Sequence, residues 1–222
     1  MLWYLKNFNI FDNFSESDLE SFTKYLRAEE FDKGETILIP HDSERHVYFL
    51  MKGKVKVFHI DEDGREIILV ILREGEIFGL LAVIEEYSNP LVVALEECLV
   101  GYMHESDFQN LMEEKPELCF TIYKYIGKRL ITIENRLDEL LFQDIPTRLA
   151  RLLLRLSREY PRERDCGVQI DLRLTQQEIA DLIGASREAT SAALNPFKRN
   201  GWLELHQRYI CLHNSEALQE LA

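Results

Sequence analysis

Tyr123, Ile126, Leu130, Ile133, Leu137 and Leu140 succeed one another at steps of 3, 4, 3, 4 and 3 residues. Only a helix puts such positions on one line, and the line is narrow, a seam rather than the broad apolar face of a helix lying on a core. A seam of this shape suits a two-stranded coiled coil, in which each side chain fills a hole on the facing helix. Packing against the rest of the chain is the alternative, but the length and unbroken phase of the run favour a second copy of the protein, a homodimer. About two and a half heptads form too short a pair to hold without other contacts. This helix, over residues 117–143, divides the sequence into an upstream part, 1–116, and a downstream part, 144–222.

The upstream part opens with Phe8, Phe11 and Phe14 ahead of Ser15-Glu16-Ser17-Asp18, where the Ser-x-x-acid spacing predicts a helix start. The opening reads as a short helical lid. From Glu29 to about Tyr102, short β-rich runs alternate with turn signals at Lys33-Gly34, Lys52-Gly53, Asp63-Gly64 and Glu74-Gly75. Lys54 to Val57 alternates in character, and Ile67 to Leu72 is apolar throughout. Many short strands at roughly regular spacing imply a compact β-roll or barrel, so the chain as a whole belongs to the α+β class.

Downstream, Phe142 to Pro146 interrupts the helical pattern, because proline lacks a backbone donor and biases its predecessor away from helical geometry. A hinge is expected there, then a helix over Arg148 to Tyr160 and a polar loop over Pro161 to Gly167. Leu174 to Leu194 is the most informative stretch. Thr175 with Glu178 forms a capping-box pattern, Ile179, Leu182 and Ile183 supply a buried face, and Gly184 ends the helix. Ser186 then caps a second helix after a short turn, with small Ala180, Ala185 and Ala189 where the two helices cross. That is the plan of a helix-turn-helix, here over residues 175–199. Its second helix is expected in the major groove of double-stranded DNA, with Arg187, Glu188 and Ser191 aimed at base edges. Thr175, Gln177, Ser186 and Thr190 are expected at phosphates. Trp202 to His206 and Tyr209 to Leu212 read as a two-stranded wing whose Arg208 also meets phosphate. Pro196, nine positions beyond the cap, is expected to kink or end the recognition helix.

A net charge of −13 looks unsuited to nucleic acid, since phosphate contacts come from Lys and Arg. The acidity is local, however. Residues 1–143 carry 28 Asp and Glu against 15 Lys and Arg, whereas residues 144–222 carry 11 of each. An acidic body discourages indiscriminate sliding and leaves docking to one locally basic face. Cys98, Cys119, Cys166 and Cys211 lie far apart, form no metal-type cluster and read as free thiols. His41, His46, His59 and His104 have no ligand-like spacing. No metal or cofactor is expected. No apolar run suits a membrane span, and MLWYLKNFNIF lacks the marks of a signal peptide, so a cytoplasmic location is expected. No nucleophile motif or phosphate loop points to an enzyme.

In this order, β-roll, long helix, hinge and winged helix-turn-helix, the chain resembles the Crp/Fnr family of transcription regulators. The resemblance spans nearly the whole length and is carried by Phe49 to Val57, Asp63-Gly-Arg-Glu66, Gly75-Glu-Ile-Phe-Gly79, Ala94 to Cys98, Asp144 to Leu149 and Ile179 to Leu194. It implies a cyclic-nucleotide-binding-like jelly roll, a dimerisation helix, action on a near-palindromic site and RNA polymerase as a partner. It also implies an effector pocket around Gly79, Leu80, Leu81, Ser88 and Asn89. Cyclic-AMP-binding members place Glu where Leu80 stands and Arg-Ser-Ala where Ser88-Asn89-Pro90 stands. Without those groups the sugar and phosphate lose their partners, so the effector is an unidentified small molecule rather than cyclic AMP. Haem-containing members carry a Cys-x-His pair where Gly79-Leu80-Leu81 occurs here, and iron-sulfur members carry cysteines in a region that has none. A haem- or thiol-based sensor with other ligands, the thiol being Cys98 or Cys119, is the alternative. The family's guanine-reading Arg of the recognition helix is replaced by Ala192.

Overall fold

A computed structural model describes the chain apart from residues 13, 40–44, 84–89 and 165–166. Its contacts divide into two compact units, Met1–Leu130 and Ile131–Ala222.

The first unit begins with α1 (Leu2–Leu5), a 3-10 turn (Asn9–Phe11) and α2 (Glu16–Thr23). The expected start of α2 is a capping box: Ser15 Oγ accepts from the Asp18 amide at 3.2 Å, and the Asp18 carboxylate accepts from the Ser15 amide at 3.0 Å. Among the described residues eight strands follow: β1 (Arg27–Phe31), β2 (Thr36–Leu38), β3 (His46–Lys52), β4 (Lys54–Ile60), β5 (Glu66–Arg73), β6 (Ile77–Phe78), β7 (Leu91–Ala94) and β8 (Cys98–His104). They form two antiparallel sheets, ordered β1-β8-β3-β6 and β2-β7-β4-β5. Strand β3 is buried on both faces, and the period of two explains how. Tyr48 and Leu50 point inward and join Val55, Val57, Leu72, Phe78, Val92 and Val100 between the sheets. Val47, Phe49 and Met51 point outward and meet Phe8, Phe11, Phe22 and Phe108. The N-terminal aromatics thus cover the outer face of one sheet, as the lid reading requires.

Two helices close this unit, α3 (Glu105–Glu114) and the start of α4 (Pro116–Phe142). Leu118 and Ile122 of α4 are buried in the outer cluster. One and two turns on, Tyr125 Oη donates to the Ile77 carbonyl at 2.8 Å and Arg129 Nη1 to the same oxygen at 3.3 Å. The chain's own β-domain is therefore met by the line 118-122-125-129. The neighbouring line behaves otherwise. Tyr123, Ile126, Leu130, Ile133, Leu137 and Leu140 keep 40 to 72 % of their surface exposed.

In the second unit α5 spans Ile145–Glu159, capped by Asp144, whose carboxylate accepts from the Thr147 amide at 2.9 Å. The interruption read over Phe142 to Pro146 falls at Gln143 and Asp144, between α4 and α5; Pro146 itself stands in the first turn of α5, where no intrahelical donor is needed, so this helix begins earlier than Arg148. The expected loop over Pro161 to Gly167 is instead part of a hairpin, β9 (Pro161–Arg164) and β10 (Gly167–Ile170). Every residue of β9 is exposed, so the strand has no apolar alternation to betray it. Then come α6 (Gln176–Ile183), α7 (Arg187–Arg199), β11 (Leu203–His206), β12 (Tyr209–Leu212) and α8 (Ser215–Leu221). The wing is correspondingly larger than two strands, with order β11-β12-β10-β9. Cys211 on β12 is disulfide-bonded, which corrects the reading of four free thiols; Cys166 and His41 lie outside the described residues. No helix among the described residues is long and apolar enough to cross a membrane.

Candidate nucleic-acid interface

The turn between α6 and α7 is fixed by local chemistry on both sides. Thr175 Oγ1 accepts from the Glu178 amide at 3.1 Å, and the Glu178 carboxylate accepts from the Thr175 amide at 2.8 Å. At the other end Gly184 adopts φ 61°, ψ 50°, the left-handed conformation that ends a helix without a Cβ penalty. A Cβ on Gly184 would come within 2.6 Å of Leu140 Cδ2. Ser186 then caps α7, its Oγ accepting from the Ala189 amide at 3.1 Å.

Two arginines hold the carbonyls that the end of α6 leaves without helical partners. Arg148 Nη1 donates to the Ile183 oxygen at 2.7 Å and the Gly184 oxygen at 3.3 Å. Arg136 Nη2 donates to the Asp181 oxygen at 3.1 Å, and burial pulls the pKa of its guanidinium below the usual value. Cations at a helix C-terminus also oppose its partial negative charge. The turn that orients α7 is thus gripped from α4 and α5.

Leu194, Ala193, Phe197 and Thr190 bury one side of α7, leaving Arg187 and Glu188 exposed and Ser191 half-exposed on the other. The side chains of Arg187 and Glu188 have no partner among the described residues. Arg208 is exposed at the wing turn with φ 71°, and its carbonyl accepts from the Leu174 amide at 3.0 Å, which draws the wing tip to the N-terminus of α6. Arg173 stacks on Tyr209, with Nε donating to the phenol oxygen at 3.0 Å. That exposed cation beside Thr175 and Arg208 escaped the sequence reading, although an Arg two positions before the cap was the available sign.

The expected phosphate set does not come through whole. Thr190 is fully buried, with Oγ1 donating to the Ser186 carbonyl at 2.9 Å, so it faces the core and not a ligand. The Thr175 hydroxyl is engaged with the Glu178 carboxylate at 2.9 Å. Gln177 is exposed and gives one amide hydrogen to Asp181 at 2.8 Å, leaving another free. Ser186 is exposed and still has its hydroxyl hydrogen to donate. Pro196 does not end α7, which runs on to Arg199 because buried Leu194 and Phe197 anchor its last turns.

Around the expected effector pocket, Gly79 has φ 77°, and a Cβ there would lie 2.6 Å from the His46 carbonyl. Leu80 packs against the outer aromatic cluster and Leu81 is exposed; Ser88 and Asn89 lie outside the described residues. Cys98 is buried, its thiol donating to the carbonyls of Lys54 and Glu96 at 3.3 Å, and burial pushes its pKa up. Cys119 is free and exposed. Among the described residues, no group of three or more His, Cys, Asp or Glu is gathered in a way that could hold a metal ion.

Residues 28–115 match the cyclic nucleotide-binding domain family, and residues 147–221 match the Crp-like helix-turn-helix domain family. The chain is 29 % identical to a CRP-like cAMP-activated global transcriptional regulator of Mycobacterium tuberculosis, over 96 % of each. It is 30 % identical to the global nitrogen regulator of Synechococcus elongatus, over 88 % of this chain and 89 % of that one. Among solved structures it is similar to a CooA mutant from Carboxydothermus hydrogenoformans, with TM-score 0.75 and 26 % identity over 90 % of this chain and 89 % of that one. A CRP/FNR-family regulator from Thermus thermophilus gives TM-score 0.74 and 25 % identity over 88 % and 98 %.

Proposed function

The chain belongs to the Crp/Fnr family and is a DNA-binding transcription regulator, and from that premise we propose that it acts as a homodimer on a near-palindromic site. Arg187, Glu188 and Ser191 read bases from the major groove, while Gln177, Ser186 and Arg208 hold phosphates. The observation that carries the dimer is the exposed apolar line from Tyr123 to Leu140, beside the line that α4 already spends on its own β-domain. Joined along that line, two chains carry two recognition helices, which suit half-sites about one helical turn apart. Contact with RNA polymerase is the expected route from binding to regulation.

The relatives are named for different signals, cAMP in one and nitrogen in another, so the chain's own residues must decide. Leu80 supplies no acceptor for a ribose hydroxyl and packs on the aromatic core. An effector other than cyclic AMP, of low polarity, is the reading these residues support. Titration calorimetry of the full chain with cyclic AMP should give no heat of binding; a micromolar dissociation constant would reverse this part of the reading. For the DNA contacts, Arg187→Ala should relax preference at one base pair of each half-site in gel shifts at a stated salt concentration. Unchanged affinity and selectivity would remove Arg187 from the reading set.

A further inference from the structure

Asn195 stands at the centre of the exposed face of α7. At about 100° per residue, the buried Thr190, Ala193, Leu194 and Phe197 gather on the side opposite Glu188. The line farthest from the core therefore runs through Glu188, Ala192, Asn195 and Arg199, all exposed. Arg187 lies about a quarter turn to one side. Asn195 is within about 20° of the bearing of Glu188 and about 10.5 Å further along the axis, a span of about three base pairs at the rise of a duplex.

What surrounds Asn195 leaves it free to read. Its carboxamide has no hydrogen-bond partner among the described residues, whereas Gln177 and Thr190 are both bonded within the domain. Between Glu188 and Asn195 the line carries only the methyl of Ala192, so no long side chain props the helix away from the groove floor. Pro196 has no N–H, which leaves the Ala192 carbonyl without its usual helical donor and adds an acceptor next to the amide.

We propose that Asn195 is a further specificity-determining residue, its carboxamide making the paired contact to N6 and N7 of an adenine while the Ala192 methyl meets a thymine methyl nearby. The proposal rests on α7 lying in the major groove as described above. The loss of the family's Arg at 192 is then not a plain loss of discrimination, because the reading moves one turn along the helix to a different base.

The test is sequencing of duplexes retained from a randomised pool by the full-length protein, at one stated salt concentration, for wild type, Asn195→Ala, Asn195→Asp, Arg187→Ala and Glu188→Ala. Asn195→Ala should lose roughly 5- to 150-fold of preference for A·T at one pair per half-site, about three pairs from the position governed by Glu188. Asn195→Asp keeps an acceptor and loses the donor, so it should turn that preference from adenine toward cytosine, an outcome a merely structural residue cannot give. Thermal melts of each variant guard against misfolding. A uniform loss on all sequences would make Asn195 a phosphate contact and overturn the proposal, as would no change at any position. If Arg187→Ala and Glu188→Ala flatten their own positions while Asn195 does not, the failure belongs to Asn195 alone; if they too change nothing, the groove reading falls with it.

Discussion

Leu137→Ala truncates one side chain of the exposed apolar line on α4. Leu137 keeps 55 % of its surface in the single chain. Complete burial of a leucine side chain contributes about 1.5–3 kcal/mol, so covering the remaining half contributes about 1 kcal/mol. A dimer contains two such side chains, and truncation adds a cavity term at each. The variant dimer should be weaker by about 2–4 kcal/mol, or roughly 30- to 700-fold in dissociation constant. Folding within each protomer should hardly change, because the side chain already stands in solvent. Sedimentation equilibrium measures this directly, with exposed Asn135→Ala on another side of α4 as control. If Leu137→Ala and Asn135→Ala dimerise with equal affinity, the seam is not the interface and the argument from spacing is refuted.

Three further outcomes follow from particular contacts. Gly184→Ala forces a side chain into the left-handed region and against Leu140 Cδ2; the flexible leucine tip can shift, so denaturant titration should report a loss of about 1–2 kcal/mol. Thr190→Val removes a buried hydroxyl bond to Ser186 and should cost about 0.5–1.5 kcal/mol of stability with DNA affinity per folded molecule unchanged, whereas a phosphate contact would show as weaker binding. The Lys115 ammonium, then the Ser15 hydroxyl, lower the Asp18 carboxyl from 3.8 to about 2, so its stabilising effect is full above the unfolded value and fades as pH falls through the folded one. Urea titrations should show Asp18→Asn less stable than wild type at pH 5, with the gap closing between pH 4 and pH 2.

Local and periodic features were legible in the sequence. The capping boxes at Ser15 and Thr175 and the glycine end of α6 each depend on residues a few positions apart, and each is found where the spacing put it; the apolar line of α4 lies on one helix and is exposed in the single chain. Thr190 was misread because its type suits phosphate. Its phase, shared with Ala193, Leu194 and Phe197, was the better guide. Other features depend on partners far away in the chain. Arg148 reaches carbonyls 35 and 36 positions on, and no local pattern announces such a contact. The wholly exposed β9 is a strand only because β10 lies beside it, with Val168 opposite Glu163 on one side and Leu212 on the other.

In the proposed dimer α7 reads sequence twice, once from each copy of the chain. Sequencing the duplexes that wild-type protein retains from a random pool at physiological salt tests it most directly. The expected result is an inverted repeat whose half-site centres lie about 10–10.5 base pairs apart, or a multiple of that distance. A pool without enrichment, or one enriched in a single unrepeated site, would contradict it.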